Sequence, residues 1–175
     1  MNFFQKFTIN IIFVFFCFQS ISIAEIPYYV DFKLILNESD AGKKAQNFLK
    51  SKLENGVKRI KDKEKKLQEE EKKIIQQKKV ISSEEYKKKV TSLRQDVSKL
   101  QKERSQLLDS VAKQRTKARN ILLKNLNPLI KEYMNEKKIR MVIDKKSILL
   151  GDENLDITKD IMKALNSKLK SIDLN

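Results

Sequence analysis

The chain has 175 residues, with 38 lysines and arginines against 23 aspartates and glutamates, and a net charge of +15. It contains no histidine and a single cysteine, Cys17. These counts exclude a disulfide scaffold, thiolate or imidazole metal sites, and catalysis by a Ser-His or Cys-His pair. The excess of positive charge favours anionic partners such as nucleic acid, lipid head groups or acidic polypeptides. A lysine-rich composition on a solvated helix surface is the simpler alternative.

Residues 1–24 have the pattern of a secretory signal peptide: Lys6, then an apolar run over residues 7–18, then small or polar residues up to Ala24. An apolar run of roughly 12 residues is shorter than the ~20 that span a bilayer, which argues against a membrane anchor. Lipid attachment at Cys17 is disfavoured, because two phenylalanines precede the cysteine where such sites have small residues. We expect cleavage after Ala24, which leaves no cysteine and lowers the net charge only to +14, through the loss of Lys6.

A strand-like run, "IPYYVDFKLIL", occupies residues 26–36. Tyr28, Val30 and Phe32 alternate there with Tyr29, Asp31 and Lys33, which is the period of a half-buried strand. Two strands alone are marginally stable in water, so this strand needs partners from elsewhere in the chain.

The middle of the chain has no glycine between residues 57 and 150 and is rich in good helix formers. In its first half, apolar residues recur every seven positions, at Leu53, Ile60, Leu67, Ile74 and Ile81. The alternate positions 49, 56, 63, 70 and 77 change from leucine through glycine to lysine, glutamate and glutamine. This pattern predicts a helix with a thin coiled-coil seam.

The second half of this region has a more regular heptad pattern, interrupted by Arg104 and Gln114. Its apolar positions are Tyr86, Val90, Leu93, Val97, Leu100, Leu107, Val111, Ala118 and Ile121. Leucines and an isoleucine over residues 122–130 then widen the stripe, which suggests that this end of the helix meets more than one neighbour.

A capping box, Ser82 followed by Glu85, separates the two halves and predicts the start of a second helix. One continuous helix is the alternative. The hairpin is favoured for two reasons. The thin apolar seam of the first half gives way here to a more regular heptad pattern, and the two strand-like ends of the chain must come close together to form a sheet. Each arm helix would be on the order of 60 to 75 Å long, with a flexible tip near residues 80–84.

The C-terminal part supplies two more strand candidates, "IRMVID" at residues 139–144 and "SILLG" at 147–151. A last helix is predicted to open at Asp156 or Thr158 and to run to Ile172. Its apolar face, formed by Ile157, Ile161, Ala164, Leu165 and Leu169, can cover a small sheet.

The predicted fold class is therefore α+β and mostly α, with a long antiparallel helical hairpin on a small β base. The base comprises residues 25–38 and 139–175, and the hairpin arm comprises residues 39–138. Because a core of this size is marginal, we expect the base to oligomerise.

Two segments, "YVDFKLILNESDAGKKA" at residues 29–45 and "MVIDKKSILLGDENLDITKDIMKALN" at 141–166, resemble the Skp/OmpH family of periplasmic chaperones. The segment "SSEEYKKK" at residues 82–89 also resembles the hairpin tip of that family. The resemblance covers the whole exported chain in layout, but its specific motifs occupy only the two ends, since the arms would match any coiled coil of similar length.

This resemblance implies a homotrimer with a small β base and three helical hairpins that surround a cavity. Family members hold unfolded outer-membrane proteins there, without ATP, in the periplasm. It places the oligomer base at Tyr28, Val30, Phe32, Met141 and Ile143. The positively charged arm tips of the family are matched, by charge alone, at Lys72, Lys73, Lys78, Lys79, Lys87, Lys88, Lys89 and Arg94.

The sequence thus predicts a holdase chaperone that needs no cofactor. A structural or adaptor protein that docks its basic tips on anionic lipid or lipopolysaccharide is the alternative. A nucleic-acid binder is disfavoured, because the chain is exported and its basic stretches lack interleaved stacking aromatics. An enzyme is disfavoured as well: Glu69, Glu70 and Glu71 fan around the helix, so they cannot form an acid–base pair and are expected to pair with lysines such as Lys66 and Lys73.

Overall fold

A computed structural model describes residues 26–174 of the chain. The predicted signal peptide at residues 1–24, with Cys17, lies outside the described residues. In chain order the elements are β1 (Tyr28–Val30), α1 (Phe32–Glu38), α2 (Asp40–Gln77), α3 (Ser83–Lys137), β2 (Val142–Asp144) and α4 (Thr158–Lys168). Short 3-10 helices, Lys145–Ser147 and Glu153–Leu155, lie between β2 and α4.

The prediction of a strand over residues 26–36 is wrong beyond Val30, and Phe32 is the first residue of helix α1 rather than a strand residue. Asp31 causes the change, because its Oδ1 accepts a hydrogen bond from the backbone N–H of Leu34 at 2.7 Å and caps a new helix. The apolar residues that follow also fit a helical period, and Ile35 is completely buried.

Helices α2 and α3 form the predicted hairpin. Ser39 begins α2 by accepting the N–H of Gly42 at 3.2 Å, and Ser82 begins α3 by accepting the N–H of Glu85 at the same distance. Helix α2 ends at Gln77, a few residues before the cap. The predicted start of the second helix at Ser82 is therefore confirmed. At 1.5 Å per residue the two helices are about 57 and 82 Å long.

The heptad stripes of the two helices face each other along the arm. The buried side chains of this seam are Leu49, Ile60, Ile74, Leu100, Leu107, Val111 and Ala118. Gln114, one of the predicted interruptions, is satisfied by polar partners. Its Oε1 accepts from Lys52 Nζ at 2.8 Å, and its Nε2 donates to the carbonyl of Leu174 at 2.5 Å.

The base is built on a pair of parallel strands, β1 and β2, with Tyr28 opposite Val142 and Val30 opposite Asp144. Parallel strands need a long crossover, and the whole helical hairpin serves as that connection. A single bridge from Tyr29 to Asp156 adds a third segment to β1. Beneath these strands lies an apolar core that includes Val30, Ile35, Leu122, Leu126, Ile130, Ile161 and Leu165.

The predicted strand at residues 147–151 is absent from the structure. Ser147 is the last residue of a 3-10 helix. Leu149 and Leu150 are 96% and 90% exposed, so they do not pack against the core. The predicted C-terminal helix is confirmed as α4, but it ends at Lys168 instead of Ile172. In residues 26–174, no helix combines the length and hydropathy that a membrane crossing requires.

Candidate functional site

A groove of ≈ 580 Å³, here called the distal groove, runs between the outer halves of α2 and α3. Helix α2 contributes Leu67, Ile74 and Ile75 to its lining, and α3 contributes Tyr86, Val90, Leu93, Val97 and Leu100. The polar residues that line it are Glu64, Gln68, Glu71, Arg94 and Gln101. The groove therefore combines an apolar floor with a polar border.

The distal groove exists because the seam of α2 loses its apolar residues toward the tip. Lys63 and Glu70 stand at positions that would otherwise cover the apolar stripe of α3, and both are exposed. Lys63 instead pairs with Glu103, with 2.6 Å between Nζ and Oε1. The hydrogen bond from Lys63 lowers the pKa of Glu103 below its usual value.

Apolar side chains of the groove remain in contact with solvent. Ile75 is 59% exposed and Val97 is 43% exposed, whereas Leu100 at the inner end of the groove is only 6% exposed. Val80, in the turn itself, is 85% exposed. Large apolar side chains left open and bordered by polar residues mark a surface suited to binding another molecule.

All eight cations predicted for the arm tip lie at the outer end of the hairpin, and we refer to them as the cationic tip. Lys72 and Lys73 are on the last turns of α2, Lys78 and Lys79 are in the turn, and Lys87, Lys88, Lys89 and Arg94 are on the first turns of α3. Arg94 also lines the distal groove, so the positive charge and the apolar floor are adjacent.

Two members of the cationic tip have partners within the chain. Lys89 donates to Gln77 Oε1 at 2.8 Å and lies 3.5 Å from Glu85 Oε1. The Nζ of Lys78 lies 5.8 Å from the ring centroid of Tyr86, which is a cation–π distance. These contacts help to hold the turn in place.

The other six members of the cationic tip form no ion pair with any residue between 26 and 174. Farther from the tip, charges pair across the arm, as in Arg104 with Glu64 at 3.5 Å. On α3, the hydrogen bond to Asp109 raises the pKa of Lys113. The tip has a local excess of positive charge, because residues 72–94 contain eight lysines and arginines against two glutamates.

The expected pairing of Glu69, Glu70 and Glu71 with nearby lysines is not found. None of the three carboxylates lies within 4.0 Å of a cation among the described residues. The same part of the chain contains no group of three or more acidic residues that could hold a metal ion.

The five residues predicted for the oligomer base lie in different environments. Tyr28 and Ile143 are half-buried on β1 and β2, while Met141 is 58% exposed just before β2. Val30 is completely buried inside the chain's own core, and Phe32 packs against that core from α1. Val30 therefore presents no surface to a partner in this fold.

Sequence reasoning missed most of the exposed apolar residues of the base. Ile26 is 67% exposed, and Leu149 and Leu150 are almost fully exposed. Strand β2 pairs only with β1 in the described part of the chain, so its outer edge is open. The sequence predicts a strand candidate at residues 147–151, and a strand in a sheet would have covered part of this segment.

The family model described as "Outer membrane protein (OmpH-like)" matches residues 28–165, which include both strands, the complete hairpin and most of α4. The chain belongs to this OmpH-like family. The matched region contains both base strands and the arm between them. This agrees with the family resemblance that the two ends of the chain show in sequence.

The fold of this OmpH-like chain also occurs in a solved structure. A crystal structure of a protein from Caulobacter crescentus CB15, described as an OmpH-like outer membrane chaperone, superposes with a TM-score of 0.77 at 19% sequence identity. The superposition covers 85% of this chain and 89% of the other. At that identity the likeness establishes the shared fold. No curated protein matches the chain in sequence.

Proposed function

We propose that this OmpH-like chain is an ATP-independent holdase chaperone of the periplasm. It binds unfolded outer-membrane proteins and keeps them soluble until membrane assembly. The OmpH-like family and the fold shared with a protein described as an outer membrane chaperone support this role.

The open distal groove is the observation that carries the proposal. An unfolded β-barrel segment exposes alternating apolar and polar side chains, and no single rigid pocket fits many such segments. A shallow apolar floor with Ile75 and Val97 exposed offers weak contacts to many sequences instead. Each contact removes apolar surface from water, and this stabilises the complex without requiring a client of defined shape.

The cationic tip adds an electrostatic component to this binding. A net charge of +14 after loss of Lys6 with the signal peptide, concentrated partly on the tip, attracts acidic clients and speeds their encounter with the arm. Salt screens exposed charges, so client affinity is expected to fall as ionic strength rises. An affinity that stays constant from low to high salt would remove the electrostatic part of the proposal.

A homotrimer is proposed as the working assembly. In a trimer, the open edge of β2 can form hydrogen bonds with a neighbouring copy. The same contact can cover Ile26, Met141, Leu149 and Leu150, which are exposed to solvent in a monomer. Burying such residues stabilises by roughly 25 cal/mol for each Å² of apolar surface removed from water. Three arms that project from one base would enclose the client.

The test is analytical ultracentrifugation of the chain without residues 1–24, alone and after a β-barrel membrane protein is diluted into it from urea. A trimer that retains the client in a soluble complex is the expected result. Bovine serum albumin at equal mass serves as a control for nonspecific crowding. Precipitation of the client at the same rate with and without the chain would rule out the holdase.

A structural or adaptor protein that docks on anionic lipid or lipopolysaccharide is the second candidate. The observation in its favour is the group of tip cations that have no carboxylate partner in residues 26–174. Charge reversal of Lys78, Lys79, Lys87 and Lys88 to glutamate separates the two functions. A docking protein then loses binding to anionic vesicles, whereas a holdase keeps part of its client binding through the apolar groove.

A further inference from the structure

Residues 169–174, here called the tail, follow α4 and run back along the root of the arm. The tail lies beyond the part of the chain that matches the family model, which ends at residue 165. In the structure it adds no strand or helix, yet Leu174 is only 4% exposed. A residue so near the end of a segment without helix or strand is buried to this degree only when specific contacts hold it.

Leu174 belongs to the apolar cluster of the arm and not to that of the base. It is buried with seam residues of both long helices: Ala45, Leu49, Val111 and Ala118. Its carbonyl oxygen accepts a hydrogen bond of 2.5 Å from Gln114 on α3, while Gln114 is also bonded to Lys52 on α2. The end of the tail is therefore tied to both helices of the hairpin.

Further contacts connect the start of the tail to the base end of α2. Ile172 packs against the base core and the arm cluster together. Lys170 Nζ lies 3.1 Å from Asp40 Oδ2, and the backbone N–H of Asp40 donates to Asn166 Oδ1 at 2.8 Å. The ion pair is exposed and contributes little by itself, but it places the tail beside the first turn of α2.

We infer that the tail is a clamp that fixes the root of the arm to the base and limits the angles the arm can adopt. Ile172 contacts both the base core and the arm cluster, and Leu174 is buried in the arm cluster, so the two residues connect the base to the root of the arm. When the tail leaves its site, the root of the seam loses one wall and the arm gains freedom to swing. This role does not depend on the proposed chaperone activity.

The test compares the wild-type chain with the double variant Ile172→Ser/Leu174→Ser. One readout is amide hydrogen exchange over residues 45–53 and 111–118. The other is the distance between spin labels at Lys61→Cys on α2 and Lys159→Cys on α4, both exposed positions. Labels are placed on a chain without residues 1–24, which has no other cysteine, and are diluted with unlabelled chain so that only distances within one chain contribute.

The clamp predicts that exchange at the root rises by about tenfold or more in the double variant, because burial of the two side chains no longer opposes opening. The distance distribution is expected to become at least about twice as wide, as arm motions grow. The matched control Ser171→Ala, at an exposed tail position, should change neither readout.

Exchange over residues 122–130 and 158–165, in the base core, shows whether the variant remains folded. If the base core stays protected while both readouts at the root equal those of the wild type, the inference is overturned. It is equally overturned if exchange rises but the distance distribution keeps its width, because the tail then only covers the seam and does not restrain the arm.

Discussion

Gly56 of α2 lies directly against the side chain of Leu107 on α3. A Cβ placed on Gly56 would lie 2.6 Å from Leu107 Cδ1 and closer still to Cδ2. The glycine therefore acts as the hole that receives the leucine, and both residues are buried. Its low helix propensity is offset by the close approach of the two helices at this point.

Filling the hole at position 56 is expected to destabilise the arm. We predict that Gly56→Val lowers the free energy of unfolding by about 1–3 kcal/mol, because Leu107 cannot move far within a packed seam. Leu107→Ala alone should cost about 2–5 kcal/mol through the cavity it creates. Urea denaturation followed by circular dichroism measures both changes.

The double variant Gly56→Val/Leu107→Ala distinguishes packing from propensity. If the two side chains compete for one space, the double variant is more stable than the sum of the single changes by more than about 0.5 kcal/mol. Strict additivity would show that Gly56→Val acts through the backbone instead. Asn55→Ala, at the exposed neighbouring position, is the control and should change stability by less than about 0.5 kcal/mol.

The cap at Ser82 is expected to control fraying at the tip. Ser82→Ala removes the acceptor for the N–H of Glu85 and should cost the start of α3 about 1 kcal/mol. Amide exchange at residues 84–87 is then faster, while exchange in the seam near Leu107 is unchanged. Ser83→Ala, one residue inside the helix, is the matched control, and an equal effect of both variants would contradict the cap.

The Tyr133 hydroxyl, which is hydrogen-bonded to Asp160, makes the stability of the fold depend on pH in the alkaline range. Burial, together with the 2.7 Å hydrogen bond to the Asp160 carboxylate, raises the pKa of Tyr133 to about 12. Between the unfolded pKa of ~10 and this value, the folded chain keeps a proton that the unfolded chain releases. Stability from this group is complete below pH ~10 and falls as the pH rises toward 12.

Tyr133→Phe isolates this contribution from the many lysines that titrate in the same range. The difference in unfolding free energy between the wild type and the variant should shrink as pH rises above 10. A difference that is constant from pH 8 to 12 would show that Tyr133 stabilises the base by packing alone. Chemical denaturation in a pH series provides the measurement.

The distal groove predicts a position-dependent loss of client binding. Val97→Ser removes an exposed apolar side chain from the groove, and client affinity should fall by about threefold, in line with the apolar surface lost. Val57→Ser is closely matched, since Val57 is 51% exposed on α2 but does not line the groove. Equal losses in the two variants would exclude the groove as the contact surface, as measured by fluorescence titration of a client diluted from urea.

Local patterns in the sequence were sufficient for the long elements. Seven-residue spacing of apolar side chains predicted the two helices, and Ser82 with Glu85 predicted where the second begins, since a cap acts within one turn of the chain. Such signals depend on neighbours three or four residues away. The two long helices and the C-terminal helix follow from such signals, whereas the choice of a hairpin also rests on the argument that the two strand-like ends must return to each other.

For the short apolar segments, local signals such as the cap at Asp31 allow the observed structure, but tertiary contacts decide it. The run at residues 26–36 fits both a strand and a helix, and the contact of Ile35 with the base core selects the helix beyond Asp31. The parallel pairing of β1 with β2 joins segments more than a hundred residues apart in sequence. Leu149 and Leu150 are exposed because no segment among residues 26–174 covers them. The distal groove forms only where α2 and α3 face each other, and Leu174 is buried only where the tail meets the root of both helices. No local pattern is sufficient for these features, because the free energy that determines them comes from contacts between distant parts of the chain.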